Sequence, residues 1–94
     1  MNIALTAFTS RGAELAGRLT KGLTEDGHSC ALWVPERLAP ETGLPGYRSL
    51  GPWTGERFAD SDALLFVGAS GIAVRAIAPY VRDKFTDPAV VSVD

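Results

Sequence analysis

Four short apolar runs, at residues 1–8, 29–34, 63–67 and 89–93, divide this chain of 94 residues into segments of crossover length, and that spacing limits the folds open to it. The first run, with Ile3, Leu5, Ala7 and Phe8, shows no clean polar alternation, so it suits a strand buried on both faces of a parallel sheet. Parallel strands cannot be joined by tight hairpins and need crossover connections. The stretch after the first run can supply one. Leu15, Leu19 and Leu23 recur at helical spacing beside Ala16, while Glu14, Arg18 and Lys21 occupy other faces, so residues 11–25 read as an amphipathic helix. Ser10 is its expected N-cap and Gly27 its stop.

Residues 35–52 hold four of the six prolines and several glycines, which predicts a loop region without regular structure of any length. A short helical turn is expected at 54–58, capped by Thr54. Beyond the third run, Ile72, Ala73, Ala76, Ile77, Tyr80 and Val81 share a broad helical face, predicting a helix over 71–84 that Pro79 kinks, with the carbonyl of Arg75 left unpaired. Pro88 then opens the fourth strand. The order β-α-β-loop-β-α-β predicts an α/β three-layer sandwich, flavodoxin- or Rossmann-like. Its parallel sheet has about four strands in the order 2-1-3-4, counted along the chain.

That order places a crevice at the carboxyl ends of the first and third strands, where two loops face each other. Thr9, Ser10 and Ser70 bring hydroxyls, Gly68 and Gly71 bracket the second turn, and Arg11 or Arg75 can bring a guanidinium. With the free amides of two helix starts, the residues form a candidate receptor for an anionic group. The same serines and glycines also serve as helix caps and tight turns, and their spacing does not separate the two roles. The Gly-x-x-Gly of 68–71 matches neither the dinucleotide fingerprint nor a Walker loop. Arg75 stands among Val74, Ala76, Ile77 and Ala78 and calls for a partner, either a protein carboxylate such as Asp94 or a carboxylate of the ligand. Asp94, just past the fourth strand, could orient Arg75 or a water.

Other residues draw structural readings. Lys84 and Asp87 suit a helix exit, Cys30 a small core position, and Trp33, Tyr47 and Trp53 the packing of the proline-rich loop. His28 falls at the edge opposite the crevice, so no catalytic residue is identified, and one histidine with one cysteine provides no metal set or catalytic triad. A net charge of −2 and a pI near 5.3 leave no basic face for nucleic acid. The apolar runs are too short to cross a bilayer, and the lone cysteine fits a reducing cytoplasm. Because Asp94 directly follows a strand, the chain reads as a single domain, 1–94, at the N-terminus of a longer protein whose remainder is its expected partner.

The run ALLFVGASGIAVRAIAPYVRDKFTDPAVVSVD resembles the N-terminal region of the CbiG family of anaerobic cobalamin biosynthesis, the cobalt-precorrin-5A hydrolases. The resemblance rests on Gly71-Ile72, on Val74 through Pro79, on Asp83-Lys84, on Asp87 through Val91, and on Val93-Asp94. Thr6 and Gly12 through Ala16 agree more weakly. It implies an enzyme that opens the δ-lactone of cobalt-precorrin-5A and releases acetaldehyde. The substrate is then a polycarboxylated macrocycle that brings its own cobalt, so no separate cofactor is expected. It also implies that family members continue into a Gly-His-x-Gly-Gly-Ala-Asn type loop and a second domain. Two other readings stand beside this one: a corrinoid-binding or scaffold domain without catalysis, and a flavodoxin-like binder of a phosphorylated cofactor.

Overall fold

The computed structural model describes residues 1–68 and 70–93, and the description excludes the side chain of Ser70. Five strands, β1 (Asn2–Ala7), β2 (Ser29–Pro35), β3 (Gly46–Tyr47), β4 (Ala63–Val67) and β5 (Ala89–Val93), form one sheet in the order β3-β2-β1-β4-β5. Every ladder is parallel. The four strands anticipated from the apolar runs therefore lie in the expected order. β3 is an addition to them, paired to β2 through Val34 opposite Gly46 and Pro35 opposite Tyr47.

Helices cover the sheet from both sides because the strand residues alternate between two apolar faces. Helix α1 (Ser10–Glu25) receives Ile3, Leu5 and Ala7 of β1 with Ala63 and Val67 of β4, against its own Ala13, Ala16, Leu19 and Leu23. The opposite face presents Ala4, Leu64 and Phe66 to helices α3 (Leu50–Asp60) and α4 (Ser70–Ile77), which contribute Trp53, Ala73 and Ala76. Phe66, Leu5 and Leu64 are fully buried. Burying a side chain of this size is worth about 1.5–3 kcal/mol relative to leaving it in water.

Three expectations are corrected. The proline-rich stretch is not a plain loop: it holds a 3-10 turn (Glu36–Leu38), helix α2 (Ala39–Thr42), β3 and the beginning of α3, which runs well beyond the expected turn at 54–58. Its prolines sit where a missing N–H does no harm, Pro40 and Pro52 in the first turns of α2 and α3 and Pro35 at the end of β2. The carbonyl of Pro45 even accepts the amide of Val34 at 3.0 Å and extends the β2–β3 pairing. Next, Pro79 ends its helix rather than kinking it. Helix α4 stops at Ile77 and passes into a 3-10 turn, Ala78–Tyr80, before Val81 turns extended. Tyr80 anchors that turn by donating its hydroxyl to the carbonyl of Gly51 at 2.9 Å. The segment up to β5 is instead organised by Asp87, whose carboxylate accepts the amides of Arg82 and Asp83 at 2.7 and 3.0 Å. Lastly, the N-cap of α1 is Thr9 and not Ser10, which is the first helical residue.

Candidate functional site

The turn that leads into α1 and the turn that leaves β4 lie on the same rim of the sheet, and between them opens a crevice of about 580 Å³. Gly12 permits this approach. A Cβ there would stand 3.1 Å from Thr9 Oγ1, crowding the hydroxyl that caps α1, and would touch the carbonyl oxygen of Val67 at 3.5 Å, so a larger residue would disturb the cap first. Gly68 has a second constraint: its φ of +147° suits glycine, and a Cβ would stand 2.7 Å from the Phe8 ring. Phe8 in turn stacks on Phe66, with ring centroids 6.5 Å apart. Its carbonyl accepts a hydrogen bond from Arg37 Nη2 at 2.9 Å, which ties the β1 exit to the 3-10 turn after β2.

The crevice is amphiphilic. Its apolar lining comes from Phe8, Leu15, Val67, Ile72 and Val93, and its polar lining from Thr9, Arg11, Glu14 and Arg18, with Gly12 and Gly68 completing the wall. Several helix-start amides are already engaged. Thr9 Oγ1 accepts the amide of Gly12 at 2.9 Å, and the Thr9 carbonyl accepts that of Ala13 at 2.9 Å. The amide of Gly68 donates to the carbonyl of Val93 at 2.7 Å, so it closes the end of the β4–β5 ladder and cannot also face a ligand.

Of the residues singled out in the sequence, Thr9, Arg11 and Gly68 line the crevice. Ser10 lines a separate depression on the other flank of α1, beside Glu41, Thr42 and Leu44. Gly71 and Arg75 are exposed on α4 and do not line the crevice. Arg75 therefore needs no buried counter-charge: its apolar neighbours in sequence split between the buried Ala76 and the exposed Val74, and the guanidinium reaches water. The Ser70 side chain and all of Asp94 lie outside the described residues. Beyond Arg11, the α1 flank of the crevice was not anticipated from the sequence. Arg11, Glu14, Leu15 and Arg18 fall at i, i+3, i+4 and i+7, a helical stripe legible in the sequence, but no local pattern says that this stripe borders a cleft.

The remaining candidates lie elsewhere. His28 begins the approach to β2 at the opposite sheet edge, its Nδ1 3.4 Å from the N-terminal amine. Tyr47 and Trp53 stack at 5.1 Å between centroids and are buried, and the Arg57 guanidinium lies 5.8 Å from the Trp33 ring centre while bonded to Asp60 at 2.9 Å. These aromatics hold β3 and α3 down. Among the described residues no cluster of three or more His, Cys, Asp or Glu side chains could hold a metal, and no helix is long and apolar enough to cross a membrane.

Comparison with known proteins gives two matches. The family described as Cobalamin synthesis G N-terminal matches residues 52–94. The cobalt-precorrin-5A hydrolase of Salmonella typhimurium is 40% identical over 93 residues, which is 99% of this chain and 25% of that protein. The chain thus spans about a quarter of the length of the curated relative it matches. No solved structure matches it.

Proposed function

We propose that the chain is the N-terminal domain of a CbiG-family protein and forms part of a cobalt-precorrin-5A hydrolase in cobalamin biosynthesis. The observation that carries this reading is the 40% identity, which extends over β1, α1 and the proline-rich segment as well as over residues 52–94. In this reading the crevice above β1 and β4 receives one edge of the macrocycle. Its apolar floor meets the ring, and the polar rim meets the carboxylate arms. Thr9 lies at the rim, and in this reading Arg75, exposed on α4 one turn beyond the crevice residue Ile72, meets an arm that crosses α4. Ser10, Ser70 and Gly71, at the starts of α1 and α4, stay in the proposal, and so does Asp94, which lies outside the described residues. Hydrolysis of the lactone requires a positioned water and donors for the developing oxyanion.

A second reading, a domain that binds the corrinoid while another part of the protein performs the chemistry, has an observation in its favour. Glu14 is the crevice's one carboxylate among the described residues, it is exposed, and no histidine stands near it to share a proton. Incubating the protein with cobalt-precorrin-5A and assaying acetaldehyde separates the two. Release of acetaldehyde supports the hydrolase, tight binding without release supports the binding domain, and the absence of both removes the corrinoid reading.

A further inference from the structure

We infer that Arg11 and Arg18 are the carboxylate-recognising residues of the crevice and select a polyanionic form of the ligand, an assignment that rests on the corrinoid reading above. The two residues lie seven positions apart on α1. At 1.5 Å of rise per residue this sets them about 10 Å apart along one stripe. Leu15 stands between them, and all three line the crevice. Both arginines are exposed, and neither forms a salt bridge among the described residues, although Glu14 is three positions from one and four from the other. In front of this cationic flank lies an apolar floor that includes Val67, Ile72 and Val93. A small oxyanion such as phosphate would leave that floor wet, and a purely apolar ligand would desolvate the guanidinium groups without pairing them. An apolar ring with carboxylates projecting from its periphery satisfies both halves. Arginine suits the task because its charge persists at any physiological pH and its planar fork can hold a carboxylate through two hydrogen bonds. The protein carries a net charge of −2, so this is local recognition and not a general attraction for anions.

Calorimetric titration with cobyrinic acid, a corrin bearing free carboxylates, and with its neutral heptamethyl ester tests the assignment. Wild-type protein is expected to bind the acid saturably and the ester at least tenfold more weakly. Arg11→Ala and Arg18→Ala should each weaken binding of the acid about fivefold, and the double variant should bind acid and ester alike. Binding of the acid should also weaken as salt is raised. Both arginines are exposed, so thermal melts of these variants should match wild type. Ile72→Glu, or Val93→Arg if the first variant fails to fold, blocks the floor. If the double arginine variant binds the acid as wild type does while the floor variant loses binding, the arginine assignment is wrong and the crevice reading stands. If wild type does not bind the acid, or the floor variant binds it unchanged, the crevice reading falls and takes the arginine assignment with it.

Discussion

The hydroxyl of Thr9 accepts the amide of Gly12, which gives an orphan donor in the first turn of α1 a partner and sets the angle at which the chain leaves β1. Ser10, one position on, has helical geometry, and its side chain caps nothing. Thr9→Ala should therefore cost about 1 kcal/mol of stability, which lowers Tm by roughly 4–8 °C in a domain of this size. Ser10→Ala should stay within about 0.5 kcal/mol of wild type. Equal melting temperatures for the two variants would contradict this capping. Two adjacent hydroxyls ahead of an amphipathic pattern are both good cap candidates from sequence. The choice depends on which residue keeps extended dihedrals, and that is set by the length of the β1–β4 ladder, which reaches Ala7.

Strand β3 contributes only two residues to the sheet, yet it is pinned in place by Tyr47. The Tyr47 hydroxyl shares a hydrogen bond of 2.8 Å with the buried Thr6 hydroxyl on β1, and its ring rests on Trp53 of α3. Tyr47→Phe leaves Thr6 without its partner and should cost about 1–3 kcal/mol. Adding Thr6→Val, which removes the orphaned hydroxyl, should recover part of that loss. Burial raises the Tyr47 phenol above its ordinary pKa of 10.0, opposed by its hydrogen bond with Thr6 and by the positive charge of Arg37. A phenol whose pKa is higher folded than unfolded adds stability that is complete below about pH 10 and is lost as pH climbs through the folded value. Chemical denaturation between pH 8 and 11.5 should show wild type losing more stability than Tyr47→Phe across that window; parallel curves would refute the coupling. Nothing in the sequence around Gly46 and Tyr47 announces a strand, because two residues carry no periodicity and the partners of Tyr47 are 41 and 6 positions away.

Across the whole molecule the apolar side chains divide sharply between a closed core and an open edge. Phe66 has no exposure at all, whereas Phe85 is 84% exposed and Val91 of the edge strand β5 is 48% exposed. Phe66→Ala should cost about 3–5 kcal/mol through lost burial and the cavity left behind, a large part of a net stability of roughly 5–14 kcal/mol for 94 residues. Phe85→Ala should change the urea midpoint by less than the equivalent of about 0.5 kcal/mol. A large loss at Phe85 would mean that the open edge is covered in solution. By itself the sequence determined the α/β class, the four longer strands and the extent of α1, because apolar runs and helical spacing are local signals; the order of those strands was an expectation from the fold class that the strand pairing bears out. The sequence also held the family resemblance, since Val74 through Pro79 and Asp87 through Val91 are read directly from the residues. Only the tertiary structure decided that Pro40 and Pro52 begin helices instead of breaking them, that the Gly68 amide is committed to Val93, that Arg75 is solvated, and that Arg18 joins Arg11 at the crevice. Each of these depends on what stands opposite a residue across the sheet or the cleft. That neighbour comes from a distant part of the chain, and local spacing carries no record of it.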